Sequence, residues 1–252
     1  MIKIRLIRNA TLLITMGDYR FLVDPMLAEK DAYDPIRWTS NNIRNPMTDL
    51  PVSSAALKEI IAGIDAVIIT HTHNDHWDET ARALIPKDKL LIGQPEDLDK
   101  FREQGFTNTV GVDREYHYEG IRFTRTGGQH GTGEIGAMMA PVSGFILQQG
   151  DESLYIAGDT IWCAEVEEAI GKFQPEIIVL NTGAAQFDKG DPITMTMEDV
   201  LAVCRKSRAK KIISVHLEAI NHCHLRRDAL RNAVAKAGES GRCFIPLDGE
   251  TI

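Results

Sequence analysis

Residues Ile68 to Asp78 read IITHTHNDHWD. An apolar run ends there in His71, His73, Asp75 and His76, in the spacing H-x-H-x-D-H. Imidazole and carboxylate are donors that zinc and neighbouring first-row metals accept. Where a strand stops the chain turns sharply, so ligands two apart can converge on one ion while the next two face a second. No HExxH is present, so these donors are not displayed along a helix. A single histidine in such a loop is ordinarily a solvated or packing residue. Four donors within six residues at a strand's C-terminal end point instead to a site, because ligands in layered sheets gather at strand ends.

Four donors are too few for two ions, and three more stand where other strands end. FTRTGGQHGTG places His130 in a Gly-rich turn, SLYIAGDT ends in Asp159, and KIISVH ends in His216. Asp159 could bridge two cations. Alone, His130 would be a loop residue and Asp159 a helix cap. Together with the first four they form a seven-donor constellation.

Strands IKIRLI, TLLITM and RFLVD open the chain, the last two joined by a hairpin turn at Gly17-Asp18. From SSAALKEIIAG onward, helices and strands alternate as in α/β folds. DAVIIT, LLIGQ, GIRFTRT, SGFILQQ, SLYIAGD, EIIVLN, KIISVH and CFIPL read as strands. WDETARALI, PEDLDKFREQG, AEVEEAIGKF, MEDVLAVCRKS and RRDALRNAVAKAG read as helices. Two sheets faced by helices in a single domain over 1–252 fit this order best. The long polar stretch from Met26 to Pro51 is a lid or a substrate wall. Trp38, Trp77, Arg37 and Trp162 are candidate wall residues.

The net charge of the 252 residues is -8, and no cationic block exceeds the pairs Lys210-Lys211 and Arg226-Arg227. That weighs against nucleic acid as a partner, since phosphate backbones need clustered cations. The N-terminal MIKIRLIRNATLLITMG is interrupted by Lys3, Arg5 and Arg8, unlike a signal peptide. No apolar run approaches the ~20 residues of a membrane span. The four cysteines, Cys163, Cys204, Cys223 and Cys243, form no CxxC pair. They read as reduced thiols of a cytoplasmic protein without stable membrane association.

The seven donors, with TLLITMGDYRFLVDP at the start, resemble the metallo-β-lactamase superfamily of metal-dependent hydrolases over nearly the whole chain. The opening strands resemble the branch that includes ascorbate-6-phosphate lactonase-like proteins and N-acyl phosphatidylethanolamine phospholipase D. The resemblance implies an α/β (α+β) fold, a four-layer αββα sandwich of two mixed sheets with helices on the outer faces. It implies a dinuclear site in which His71, His73 and His130 hold one metal, Asp75, His76 and His216 the second, and Asp159 both. It also makes Asp24 a structural residue or a support for a ligand histidine, a turn residue being the alternative. Members of this branch often carry a histidine where this chain has Asn9.

Two divalent ions, zinc first and manganese or iron as alternatives, would hold a deprotonated water at neutral pH. Asp75 is the candidate to orient that water or carry its proton. No G-x-S-x-G nucleophile motif is present. The expected activity is hydrolysis of a small-molecule ester, lactone or phosphoester. A phospholipase-D-like phosphodiesterase is the alternative, and a di-iron redox protein a weaker one, since His73 stands where those relatives usually carry an acidic residue.

Within SVHLEAINHCHLRR, His216, His222, Cys223 and His224 fall within nine residues. A structural zinc site would want paired ligands at fixed separation, which Cys223 lacks. His222 is a candidate catalytic residue, donating a hydrogen bond to substrate or a proton to the leaving group. Its alternative is a loop-packing role, and His224 reads as a structural or surface residue.

Overall fold

The structure is a computed structural model and describes residues 1–139 and 141–252. Strands β1 (Lys3–Arg8), β2 (Thr11–Met16), β3 (Tyr19–Val23), β4 (Ala66–Ile68), β5 (Leu90–Gly93) and β6 (Thr109–Gly111) form one sheet in that order. The second sheet runs β13 (Cys243–Phe244), β12 (Lys211–Val215), β11 (Ile177–Asn181), β10 (Glu152–Ile156), β9 (Gly144–Gln149), β8 (Ile121–Thr126), β7 (Glu115–Tyr118). Both sheets are mixed. The first changes from antiparallel to parallel at the β3–β4 pair, the second at β10–β11.

Side-chain alternation in the strands sorts residues onto two faces. Leu12, Ile14, Phe21, Val23, Ala66 and Ile68 point between the sheets, where they meet Phe123, Phe145, Leu154, Ile156 and Ile213. The intervening Leu22 and Val67 face outward. There they pack on helices α1 (Ser54–Gly63), α2 (Glu79–Leu84) and α3 (Leu98–Glu103) through Leu57, Ile61, Ala81 and Phe101. Tyr155, Ile178 and Ile212 do the same on the second sheet, against α5 (Ala164–Phe173), α6 (Met197–Lys206) and α7 (Arg227–Lys236). The four-layer αββα sandwich implied by the family resemblance is the architecture observed.

Helix starts follow capping chemistry. Ser53 and Asp78 accept from Ala56 N and Ala81 N, and Thr196 with Asp199 closes a capping box. PEDLDKFREQG departs from the single expected helix: Pro95–Asp97 forms a tight turn before α3. CFIPL pairs only at Cys243–Phe244. Strands β6 and β7 and the short helix α4 (Gly133–Met138) are additional to the expected elements. Among the described residues, no helix is long and apolar enough to cross a membrane.

The segment from Met26 to Pro51 is pinned to its neighbours by side-chain hydrogen bonds. The Asn221 side chain accepts from Ile36 N (3.0 Å) and Asn45 Nδ2 (2.8 Å) and donates to Thr39 Oγ1 (2.8 Å). Buried Arg8 donates to the carbonyls of Met26 (2.9 Å), Ala28 (2.8 Å) and Thr48 (3.0 Å).

Candidate metal centre

All seven donors come from C-terminal ends of strands. His71, His73, Asp75 and His76 follow β4, His130 follows β8, Asp159 follows β10, and His216 follows β12 directly. Two side-chain clusters result, His71–His73–His130 and Asp75–His76–Asp159–His216, each with donor atoms within 4.8 Å of one another.

Three turns beside these donors are strained. Asn9, Asp24 and His216 adopt φ of 58°, 43° and 63°, a left-handed region that non-glycine residues rarely occupy. Their turns are tied together: His216 N donates to Asn9 O (2.9 Å), and Asn9 Nδ2 donates to Asp75 O (3.0 Å). Asn9 thus holds the loop carrying Asp75. Gly183 is required beside His216, because a Cβ there would sit 2.4 Å from the His216 carbonyl oxygen.

Hydrogen bonding fixes which nitrogens face inward. Thr70 Oγ1 gives its proton to Asp24 Oδ2 (2.7 Å), so at 3.2 Å it accepts from His71 Nδ1–H. His130 Nδ1–H donates to Ile193 O (2.8 Å). Both rings therefore turn an unprotonated Nε2 toward His73 Nδ1, at 2.9 Å from His71 and 3.3 Å from His130. Three imidazole nitrogens face one another with at most one proton to share, an arrangement that a cation satisfies.

In the second cluster His76 Nδ1–H donates to Asp24 Oδ2 (2.9 Å), while its buried Nε2 makes no hydrogen bond. Asp24 is thus the support of a candidate ligand histidine. Asp159 Oδ1 accepts from Asn181 Nδ2 (2.7 Å), which aims Oδ2 between the clusters. That oxygen lies 3.9 Å from His71 Nε2, 3.6 Å from His130 Nε2, 3.2 Å from His76 Nε2 and 3.6 Å from His216 Nε2. Asp75 Oδ2 sits 3.1 Å from His216 Nε2 and 3.7 Å from His76 Nε2. His216 Nδ1 meets Cys223 Sγ at 3.4 Å, a thiol where a carboxylate or carbonyl commonly supports a ligand imidazole. The orphaned His76 Nε2, the inward-facing nitrogens and the nitrogen and oxygen donor set fit two divalent ions.

The electrostatics of the metal-free protein differ between the clusters. Burial, with the neighbouring histidines, holds His71 well below the ordinary imidazole value and His73 down at about 4. Burial also lowers His130. In the second cluster burial alone would neutralise His76, but Asp159, Asp75 and Asp24 push it up to about 10. Asp159, Cys223 and Asp75 likewise overcome burial and raise His216. Burial opposes ionisation of Asp75 and Asp159, yet His76 and His216 hold both far below the usual carboxylate range. Protons on His76 and His216 thus stand where a cation would otherwise neutralise the two carboxylates.

A cavity of about 360 Å³ opens over the centre, with His73, Asp75, His130 and Asp159 in its floor. Its walls are largely apolar: Met26, Ile36, Phe187, Ile193 and Ile220. His222 also lines it, buried, with Nδ1 unpartnered and its ring beside Phe187 at 6.0 Å between centroids. His224 is exposed.

The proposed wall residues fare unevenly. Trp77 is fully buried under the first sheet, packed on Phe101 and Phe106, with Nε1 donating to Gln104 Oε1 (2.7 Å). Trp162 packs on the outer core of the second sheet. Arg37 is exposed and does not line the cavity, whereas Trp38 lines an adjoining one. The actual walls escaped the sequence reading because Phe187, Ile193 and Ile220 lie in loops without a periodic signal. Asn181 and Thr70, which aim Asp159 and His71, carry no motif of their own.

Comparison with known proteins agrees with this geometry. Residues 19–217 match the Beta-lactamase superfamily domain. The UPF0173 protein YddR of Bacillus subtilis is 40% identical over 250 residues, 97% of either chain. The crystal structure of an isothiocyanate hydrolase from Delia radicum gut bacteria superposes with a TM-score of 0.93 at 41% identity, covering 99% of this chain and 98% of that one. A possible metal-dependent hydrolase from Veillonella parvula superposes with a TM-score of 0.94 at 36% identity, covering 100% and 99%. The chain therefore belongs to the β-lactamase superfamily and is a metal-dependent hydrolase of the metallo-β-lactamase fold.

Proposed function

We propose that the chain hydrolyses a small, uncharged carbon electrophile, an isothiocyanate R–N=C=S, at a dinuclear metal centre. The observation that carries this reading is the cavity itself: among the described residues no lysine or arginine lines it. A phosphoester or phosphodiester brings anionic oxygens that call for such a cation or an equivalent donor cluster. Beyond the two ions, which can themselves take anionic oxygens, this lining offers an anion no such cation, and its apolar side chains suit the phosphoester or the phospholipase-D-like alternative less well than neutral carbon electrophiles. The superposed isothiocyanate hydrolase, similar over nearly its whole length, selects among these.

His71, His73 and His130 would hold one ion, Asp75, His76 and His216 the other, and Asp159 both. Imidazole and carboxylate suit zinc first, with manganese and iron as alternatives. When bound, such a pair supplies a water deprotonated at neutral pH and a site that takes up developing negative charge. Asp75, ionised in its cluster, orients the water and accepts its proton. The water oxygen bonds to the central carbon of R–N=C=S, and His222 delivers a proton to the nitrogen. The proton left on the added hydroxyl then passes to nitrogen and the C–N bond breaks, giving R–NH2 and O=C=S, while the proton taken by Asp75 returns through water to His222. Apolar walls around His222 hold the substituent R and exclude bulk water.

Metal-loaded protein is expected to consume benzyl isothiocyanate and release benzylamine at least about 100-fold faster than it cleaves a p-nitrophenyl phosphodiester. A phosphodiester or lactone cleaved faster than the isothiocyanate would refute the assignment. Changing His222 to Ala should leave two ions per chain and lower kcat by about 10²–10⁴, the usual reach of a positioned acid or base. Unchanged turnover would end its catalytic role.

Proton linkage gives a separate prediction. Near neutral pH the first cluster is unprotonated and binds its ion without displacing a proton. The second must shed the proton that His76 keeps up to about 10. Affinity for the second ion should therefore rise at least about tenfold per unit between pH 6 and 9, while the first stays flat. Competitive zinc titrations at several pH values measure both, and equal slopes for the two ions would contradict the asymmetry.

A further inference from the structure

A second cavity of about 450 Å³ is lined by Trp38, Ile135, Met138, Met139 and Phe187, with Asp188 and Lys189 completing the lining. Met139 and Phe187 also wall the cavity over the metal centre, so the two hollows share a partition. Large apolar side chains are left in water here: Trp38 is 74% exposed and Met138 70%. Their concentration in one concave place beside a reaction site marks a ligand surface, which scattered exposed residues do not. Helix α4, which supplies Ile135 and Met138, has no buried residue at all. Its apolar side chains serve no core.

The annex is held in shape before anything enters it. Trp38 adopts the left-handed φ of 58°, and its carbonyl accepts from Asp188 N (2.7 Å) on the facing loop. On either side, Ile36 N donates to Asn221 Oδ1 (3.0 Å) and Asn41 Nδ2 donates to Asn221 O (2.8 Å). Backbone anchoring, not packing, presents the indole. Such preorganisation lowers the entropy cost of binding. The flanking methionines supply polarizable, adaptable contacts for an aromatic or alkyl group.

We infer that this annex is the subsite for the apolar substituent of the substrate, with Trp38 and Met138 as its specificity-determining residues. The inference rests on the reading of the centre as acting on a small uncharged electrophile. The reacting group occupies the metal cavity, and a substituent longer than that cavity extends past Phe187 and Met139 against the indole.

The test compares methyl and 3-phenylpropyl isothiocyanate on metal-loaded wild type, Trp38→Ala and Met138→Ser. In either variant kcat/KM for the long substrate should fall about tenfold, mostly through KM, with the methyl substrate within about twofold. Trp38→Phe should recover most of the loss. Calorimetry with the inert 3-phenylpropylurea on the same proteins separates binding from chemistry. A urea affinity weakened about tenfold in Trp38→Ala supports the subsite even if no isothiocyanate is turned over, an outcome that would sink only the reaction assignment. Isothiocyanates hydrolysed with unchanged kcat/KM in both variants would overturn the subsite. Equal losses on both substrates together with a reduced native mass would also overturn it, assigning the patch to a contact between copies.

Discussion

Replacing Asp159 with Ala is expected to remove tight binding of both ions and lower turnover by about 10³-fold or more. Its Oδ2 lies within 3.9 Å of ring nitrogens from both clusters. Losing about 4 kcal/mol of charge stabilisation already amounts to about 10³ in rate. The metal-free protein should suffer as well. Without Asp159, the buried imidazolium groups of His76 and His216 lose their main counterion, and breaking a buried pair one-sidedly costs about 3–5 kcal/mol. The pH dependence has a definite sign. The raised His76 value means that its contribution is complete below the unfolded-state value near 6.5 and fades as pH rises toward about 10. The depressed Asp159 value means that its share appears above the ordinary carboxylate range. The Tm difference between wild type and variant should therefore be largest between about pH 4.5 and 6.5 and shrink above that window. A difference that grows toward pH 10 would contradict the charge assignment.

Changing His73 to Ala should be equally damaging to turnover but mild for the fold. Its Nδ1 is the point where the His71 and His130 nitrogens converge, so under the proposed assignment the first ion would lose a ligand at the centre of its set. Bound metal should fall from two ions to one per chain, with kcat/KM down by about 10³ or more. The ring is only half-buried and carries no compensating charge in the metal-free protein, since burial keeps it unprotonated down to about 4. The Tm of the metal-free variant should stay within a few degrees of wild type. Comparing the two variants separates the roles: both lose turnover, and only Asp159→Ala destabilises the empty centre. A His73→Ala protein with two ions and full activity would remove His73 from the site.

Much of this arrangement is legible in the chain because it depends on where strands end. H-x-H-x-D-H follows a strand whose apolar residues alternate between the two packing faces, and His130, Asp159 and His216 stop three further strands. Alternation and capping residues likewise expose two sheets faced by helices, while their four-layer order rests on the family resemblance. What stays hidden depends on side chains meeting across the fold. Trp77 looks like a wall residue beside the ligands, but the turn after Asp75 sends its indole into the core against Phe101. Phe187, Ile193 and Ile220 reach the cavity from loops, where no period announces them. Strands β6 and β7 are short and only partly buried, so their patterning is weak. Asn221 shows in sequence only as a polar loop residue, although its side chain fastens the Met26–Pro51 wall to the loop that carries His222.

The most direct test of the dinuclear centre is a zinc titration of metal-free protein, with bound metal and isothiocyanate hydrolysis followed together. Activity is expected to emerge with the second equivalent and to plateau at two ions per chain. Full activity at one equivalent, or in protein that retains no metal, would contradict a reaction that needs both clusters.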